Sequence, residues 1–302
     1  MMRKLVLLAV LLALSGGLVF WVVTMPRTLS ASEAAALPQG DPQAGETVFN
    51  AAGCASCHAR AEAKGEAKLE LAGGQRFATG FGTFVAPNIS PDPQAGIGGW
   101  TPQQFANAVM RGVSPDGAHY YPAFPYTSYA RMAPADVADL FAYMQTLPPV
   151  AERAPANEVS FPFSIRRTLG VWKWLFVRDG PVVALPAGAD DGLRRGQYLV
   201  EGPGHCSECH TPRNALGGLD YSRWLKGGPA AEGEGKVPDI SPSGIGSWSA
   251  KDIAYYLESG FTPDFDSVGG TMVAVQENMA KLPASDREAI AAYLKALPDS
   301  GS

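Results

Sequence analysis

The feature that most constrains this chain is a five-residue motif, Cys-x-x-Cys-His, that occurs twice. It stands at residues 54–58 as CASCH and at residues 206–210 as CSECH. The two copies use all four cysteines of the 302-residue sequence and two of its four histidines. This spacing is the attachment signature of c-type haem, because two thiols three positions apart can add to the two vinyl groups of one haem. The following histidine is then held under the iron and can bind it as the proximal ligand.

The motifs therefore predict two covalently bound haem c groups, each with one iron. The predicted thioether residues are Cys54, Cys57, Cys206 and Cys209, and the predicted proximal iron ligands are His58 and His210. A dithiol redox pair at this spacing is expected in a βαβ context and needs no following histidine. A zinc site would need either two Cys-x-x-Cys pairs together or histidine ligands from elsewhere in the sequence. The remaining histidines, His119 and His205, do not provide such ligands for two sites.

The N-terminus carries an export or anchoring signal. Arg3 and Lys4 precede a charge-free run from Leu5 to Val23, whose 19 residues are close to the roughly 20 that span a bilayer as a helix. A cleaved signal peptide has an apolar core of only about 7–15 residues and a small-residue cleavage site. Residues 29–31 offer such a site, which would give a mature N-terminus near Ser32. We favour an uncleaved anchor, and in both cases the remaining chain lies outside the cytoplasm.

The sequence repeats its layout around the two motifs. PNISP at residues 87–91 is echoed by PDISP at residues 238–242, and IGGWT at residues 97–101 by IGSWS at residues 245–249. Such self-similarity indicates tandem copies of one unit. We predict an all-α fold of two tandem cytochrome c-type domains, each around one haem, plus an N-terminal transmembrane helix. The predicted boundaries are 1–28 for the membrane anchor or signal segment, 40–149 for domain 1, 150–185 for an interdomain segment and 186–298 for domain 2.

Local signals predict where several helices begin and end. Side chains that accept hydrogen bonds from the first turn, and glycines that close the last turn, mark these ends. The predicted N-terminal caps are Asp41, Thr101 and Ser285, and the predicted closing glycines are Gly112 and Gly260. Residues 28–40 are predicted to be a tether and residues 59–86 to be loop.

The interdomain segment is too apolar for a solvated linker. Its aromatic residues lie at 161–163 (FPF) and 171–176 (VWKWLF). We predict that these residues pack between the two domains. The alternative is contact with a partner subunit or the membrane surface, because Arg166, Arg167 and Lys173 stand among the aromatics.

The sixth ligand of each iron decides whether a haem carries electrons or binds a substrate. In the second half Met272 lies in a Gly-rich loop before the last helix and is the predicted distal ligand, with Met279 as the fallback. In the first half Met132 is the predicted ligand, and His119, Met110 or an open iron are the alternatives. A core-packing role is the competing explanation for both methionines.

Several segments resemble a known family, the multihaem cytochrome c subunits of membrane-associated bacterial dehydrogenases such as the alcohol and gluconate dehydrogenase complexes. The matching segments lie at residues 87–90, 96–100, 121–126 and 204–214. The resemblance covers about residues 40–297. The well-known subunits carry three haem motifs, and they commonly have Met where this chain has Phe124. The resemblance implies an acceptor of electrons from a separate dehydrogenase catalytic subunit, which passes them to quinone, a terminal oxidase or another cytochrome. It places the chain at the bacterial inner membrane with its haem domains on the periplasmic side.

The residues and the resemblance together predict a dihaem electron carrier without catalytic residues of its own. The alternative is a dihaem redox enzyme with one open iron, of the peroxidase or thiosulfate-dehydrogenase type. The net charge of −5 gives no indication of a nucleic-acid partner.

Overall fold

The computed structural model describes residues 1–230 and 235–298. The predicted second domain includes residues 231–234, which lie outside the described residues. The chain begins with helix α1 (Met2–Val23), in which no residue is buried. By length and composition α1 could cross a membrane or serve as a signal sequence.

The first half is a set of short helices with one small sheet. Its helices are α2 (Ala31–Ala35), α3 (Pro42–Ala51), α4 (Cys54–His58), α5 (Pro102–Arg111), α6 (Tyr126–Tyr129) and α7 (Pro134–Met144). Strands β1 (Arg76–Thr79) and β2 (Gly82–Val85) form an antiparallel hairpin after a 3₁₀ helix at Gly65–Glu70. The prediction of loop over residues 59–86 is therefore wrong for these elements.

The predicted tether over residues 28–40 is also wrong, because part of it folds onto the first half. Helix α2 opens with a capping box between Ser30 and Glu33. Leu29 is buried in the first hydrophobic cluster, and its backbone N–H donates to the Asn107 side chain at 2.7 Å. The buried side chain of Leu29 and its buried hydrogen bond hold this stretch against the first half, although its composition is typical of a loop.

The second half repeats this arrangement. Its helices are α9 (Asp191–Glu201), α10 (Ser207–His210), α11 (Pro242–Ile245), α12 (Ala250–Ser259), α13 (Met272–Met279) and α14 (Ala284–Ala296). Strands β4 (Gly228–Pro229) and β5 (Lys236–Val237) pair antiparallel, and a 3₁₀ turn covers Tyr221–Arg223. The helical class is right for the main elements, but the sequence did not predict the small sheets.

Each half is built on a close helix pair, α3 with α7 and α9 with α14. The contact depends on a glycine in each pair. A Cβ at Gly45 would lie 2.0 Å from the carbonyl oxygen of Asp139, and a Cβ at Gly196 would lie 1.9 Å from that of Ala289. Any larger residue would therefore push the two backbones apart. Around these pairs lie two hydrophobic clusters, one per half.

Most of the predicted helix ends are confirmed. Asp41 caps α3, and Thr101 forms a capping box with Gln104 at the start of α5. Gly112 and Gly260 close α5 and α12 in the left-handed conformation, with φ of 58° and 78°. The prediction for Ser285 is wrong, because α14 begins at Ala284 after Pro283 and has no side-chain cap.

The segment between the two halves contacts both of them. Strand β3 (Glu158–Val159) adds to β2 of the first half, and helix α8 (Leu169–Phe176) follows. From α8, the Trp172 indole N–H donates to the carbonyl of Leu216 at 2.8 Å, and Lys173 donates to the Gly112 carbonyl at 2.6 Å. The predicted packing is thus right for these two side chains, but Phe161 and Trp174 remain 79% and 69% exposed.

Candidate haem sites

Helix α4 presents the first pair of cysteines on one side. It starts after Gly53, whose left-handed conformation (φ 58°) turns the chain sharply out of α3. Cys54 and Cys57 are three residues apart and so lie on the same face of the turn. Burial, and then the neighbouring Cys57, raise the pKa of the Cys54 thiol to about 12. Before haem is attached, Cys54 is therefore a protonated thiol at neutral pH.

The second motif has the same geometry. Cys206 stands directly before α10 and Cys209 lies within it. Burial and the neighbouring Cys209 raise the pKa of the Cys206 thiol to about 12. Cys54 packs against the first hydrophobic cluster and Cys206 against the second, so each half carries one candidate attachment site.

The histidine of each motif is held by a proline carbonyl. His58 donates through Nδ1 to the carbonyl of Pro87 at 2.8 Å, and His210 through Nδ1 to that of Pro238 at 2.8 Å. A carbonyl only accepts, so the hydrogen lies on Nδ1 and the lone pair on Nε2. Burial lowers the pKa of both histidines, which keeps the rings neutral. A neutral imidazole whose far nitrogen is fixed in this way is the form that binds a metal.

The side chains of both sites fit the requirements of haem c. Each half supplies two thiols at the required spacing and one oriented imidazole beside them. The two prolines belong to the PNISP and PDISP turns, whose repetition the sequence showed. Their role as histidine acceptors was missed, although the repeated proline was a visible signal.

The candidate sixth ligands share the cluster of their own half. Met132 is 3% exposed in the first cluster, against which Cys54 packs. Met272 is half-buried at the start of α13 and packs with Cys206 against the second cluster. The fallback, Met279, is buried in the same cluster at the other end of α13.

Phe124 also packs against the first cluster, among aromatic rings, whereas His119 is hydrogen-bonded to the N-terminal segment. The ring of Phe124 meets Tyr120 and Tyr129 edge to face, with centroids 5.7 and 5.8 Å apart. His119 is buried and donates through Nε2 to the carbonyl of Thr24 at 2.9 Å. This bond uses the nitrogen that an iron ligand usually offers, which favours Met132 over His119.

The two motifs meet at a seam between the halves. Asn278 of α13 donates to the Ser56 hydroxyl of the first motif at 2.8 Å. Reciprocally, Glu208 of the second motif accepts from Thr127 and Ser128 of α6, the latter at 2.8 Å. Each attachment turn thus contacts the other half, at the short helix that precedes its last helix.

The leading ends of the motifs are also joined. His205, directly before Cys206, donates through Nε2 to the carbonyl of Ala52 at 3.2 Å. Tyr129 donates its hydroxyl to the same carbonyl at 3.0 Å, and its ring lies 5.6 Å from that of His205. Ala52 is two residues before Cys54, so the seam fixes the two attachment sites close together. Sequence reasoning missed this seam, since no local pattern reports how the copies dock.

Glu208 is the charged centre of the seam. Its carboxylate pairs with Arg213 at 2.5 Å, and its side chain is 9% exposed. Burial raises the pKa of Glu208, but the charge of Arg213 and the hydroxyls of Thr127 and Ser128 lower it by more. Glu208 is therefore ionised, and its charge is met by donors from both halves.

Comparison with known proteins agrees with this geometry. A sequence model described as cytochrome c matches residues 42–148, the part of the chain with the first motif. The chain therefore contains a cytochrome c domain, and haem c is the cofactor of this class.

Individual relatives match most of the chain. A diheme cytochrome c-type protein of Cereibacter sphaeroides is 55% identical over 259 residues, which are 86% of this chain and 86% of the relative. The fructose dehydrogenase cytochrome subunit of Gluconobacter japonicus is 38% identical over 84% of this chain and 52% of the subunit. The gluconate 2-dehydrogenase cytochrome c subunit of Pantoea cypripedii is 36% identical over 84% of this chain and 58% of the subunit. The chain belongs to this family of multihaem cytochromes c, which includes cytochrome c subunits of dehydrogenases, and it spans about half the length of those subunits.

Proposed function

We propose that this chain is a membrane-anchored dihaem cytochrome c that accepts electrons from a partner dehydrogenase and relays them to the respiratory chain, to quinone or a terminal oxidase. The observation that carries the proposal is the pair of attachment motifs, each with its histidine fixed on a proline carbonyl, joined across one seam. The relatives named as dehydrogenase cytochrome subunits support the choice of partner.

In the proposed function each half binds one haem. Domain 40–149 binds it through Cys54 and Cys57, and domain 186–298 through Cys206 and Cys209. Haem iron changes between its ferric and ferrous states and so supplies one-electron chemistry. His58 and His210 would hold the two irons through Nε2, and the hydrogen bonds from Nδ1 to the proline carbonyls keep both rings in that orientation. Met132 and Met272 are the proposed sixth ligands, which raise the reduction potential and exclude other ligands.

The seam gives the proposed relay its fixed geometry. The contacts of Ser56, His205 and Glu208 tie each attachment turn to the opposite half. The two haems would then be held in fixed positions relative to each other, so electron transfer between them would need no domain movement.

Purification of the native complex from membranes tests the partner. We expect a dehydrogenase subunit to copurify, and the haem absorbance of the complex to change to the reduced form when the substrate of that subunit is added. Purification of a chain that copurifies with no dehydrogenase and is reduced by none would contradict the proposal.

Carbon monoxide distinguishes the carrier from the dihaem enzyme. A carrier with two methionine-bound irons is expected to show no rapid change of its Soret band after carbon monoxide is added to the reduced protein. Rapid binding at one haem would instead indicate an open iron, and would favour the peroxidase or thiosulfate-dehydrogenase type.

Methionine variants are expected to identify the sixth ligands. Met272→Ala should remove one near-infrared methionine–iron band and lower one reduction potential, within the roughly 0.8 V range that axial ligands set. Met279→Ala tests the fallback ligand in the same cluster and should keep that band; loss of the band in this variant would assign Met279 instead. Met132→Ala should remove the methionine–iron band of the other haem and lower its reduction potential. Met110→Ala, in the same first cluster, is the comparison variant and should keep that band. A Met132 variant that keeps both bands would contradict this assignment.

The docked N-terminal segment supports an uncleaved anchor. Cleavage near Ser32 would remove Leu29 from the first cluster and leave the Asn107 side chain without its partner. It would also remove Thr24, whose carbonyl accepts from the buried His119. Mass spectrometry of the membrane-bound protein is expected to find the N-terminal residues intact, and a mature N-terminus near Ser32 would contradict the anchor.

The buried His119 is expected to make the protein less stable in acid, because its protonation would place a charge in a buried site near two cations. Burial lowers the pKa of His119, and the charges of Lys173 and Arg167 act in the same direction, whereas the hydrogen bond to the Thr24 carbonyl raises it by less. The unfolded chain therefore binds a proton more readily than the folded chain, so stability is present above the ordinary pKa of 6.5 and is lost as the pH falls below it. We expect a lower melting temperature at about pH 5.5 than at about pH 7.5, on either side of the histidine value. In His119→Gln, which keeps a donor but does not titrate, this pH dependence should be smaller, and an equal dependence would contradict the assignment.

A further inference from the structure

The end of α1 is clamped to the segment between the two halves. Arg167 donates through Nε to the Thr24 hydroxyl at 2.9 Å and through Nη2 to the Trp21 carbonyl at 2.6 Å. Its guanidinium group lies over the Trp21 ring, 4.0 Å from the centroid. Gly170 of α8 approaches so closely that a Cβ there would lie 2.5 Å from the Cα of Thr24. These contacts fix residues 161–178 beside the last turn of α1, and we call these residues the bridging segment.

The length of α1 sets the level of the bridging segment relative to a bilayer. Its 22 residues extend about 33 Å at 1.5 Å per residue, and the hydrocarbon core is about 30 Å thick. With Arg3 and Lys4 at the cytoplasmic surface, Thr24 reaches the opposite headgroup region. This step rests on the proposed anchor. Since Arg167 and Gly170 contact Thr24 directly, the bridging segment lies at the same level.

The exposed side chains of the bridging segment suit this position. Five of them are large and apolar, namely Phe161 (79% exposed), Phe163 (45%), Ile165 (44%), Trp174 (69%) and Leu175 (49%). Cations accompany them, with the Arg166 guanidinium 5.0 Å from the Tyr121 ring centroid and Arg178 4.5 Å from that of Tyr221. Aromatic residues are enriched where a protein meets the headgroups, and arginines there are attracted to anionic lipids.

We propose that the bridging segment is a second membrane contact, inserted among the headgroups of the anionic bilayer that α1 crosses. The chain is then attached at two points. A single helix would leave the whole protein able to tilt in the bilayer, whereas two contacts hold it in one orientation. The occupant of this apolar face is the lipid surface rather than a partner subunit, because the face continues directly from the end of α1.

Site-specific photocrosslinking in lipid tests this contact. The full-length, haem-loaded protein is placed in nanodiscs of phosphatidylcholine and phosphatidylglycerol. The photoreactive residue p-benzoylphenylalanine replaces Phe161, Trp174 or Phe265, one at a time. Phe265 is the control, as an aromatic residue of the second half that is 91% exposed. Each substitution keeps an exposed aromatic ring, and the haem absorbance confirms that the protein is folded.

We expect lipid adducts at positions 161 and 174 to be several-fold more abundant than at position 265. Equal abundance at the three positions would overturn the proposed contact, as would adducts at 161 or 174 to another polypeptide in native membranes. A fourth variant at Leu12, inside α1, reports on the anchor itself. Lipid adducts at Leu12 but not at 161 or 174 overturn only the second contact, whereas none at Leu12 overturns the anchor on which it rests.

Discussion

Replacing Cys206 and Cys209 together by alanine is expected to leave one covalently bound haem per chain instead of two. Thioether bonds form only at thiols, and the two motifs contain every cysteine of the chain. Intact mass, and haem absorbance in alkaline pyridine per polypeptide, measure the number directly after expression in a host that attaches haem c. The double variant of Cys54 and Cys57 should give the same count with the other haem retained.

Serine variants between the cysteines provide the control. Ser56→Ala and Ser207→Ala change the same turns but leave both thiols, so both haems should remain. An unmodified chain that carries fewer than two haems would contradict the proposed cofactor content. Two haems in either double-cysteine variant would contradict the assignment of the attachment residues.

Glu208→Ala is expected to give the largest loss of stability among single changes at the seam. The change removes a buried carboxylate and leaves Arg213 without its partner at 2.5 Å. Thr127 and Ser128 of the other half lose their acceptor as well. Breaking a buried pair in this way costs about 3–5 kcal/mol. Denaturant unfolding of the haem-loaded protein, followed by circular dichroism, measures the free energy of unfolding.

An exposed pair of the same chemistry is the matched control. Arg223 pairs with Asp220 at 2.8 Å, but the two side chains are 58% and 31% exposed. Arg223→Ala should therefore cost only about 0–1 kcal/mol, as exposed ion pairs usually do. If Glu208→Ala costs no more than Arg223→Ala, Glu208 does not hold the seam together.

Local signals predicted the parts of this fold that depend on local chemistry. The caps at Asp41 and Thr101 and the closing glycine Gly112 need only a few neighbouring residues, and the structure confirms them. The tandem layout was visible because both copies keep the same turns. The docking of Leu29 was not predicted, since it depends on Asn107, which is 78 residues away in the chain.

The seam could not be predicted because it too depends on contacts between residues that are far apart in the chain. Ser56 and Asn278 are 222 residues apart, and nothing in either neighbourhood specifies the other. The haem motifs themselves were readable because covalent attachment needs a fixed spacing of residues. Their proline acceptors were visible as a repeat, but the repeat did not reveal which side chain the carbonyls would hold.

The reciprocal contacts at the seam limit how the two copies can diverge in evolution. On one side a serine of the first motif meets an amide, Asn278, and on the other a carboxylate of the second motif meets the hydroxyls of Thr127 and Ser128. Each attachment turn is therefore complementary to the helix of the other half that it contacts. The two turns differ at the position that makes this contact, which is Ser56 in one and Glu208 in the other. Exchange of CASCH for CSECH between the copies would place Glu opposite Asn278 and remove the acceptor of α6. The two turns are therefore not interchangeable, and a change in one turn would need a matching change in the helix that it contacts.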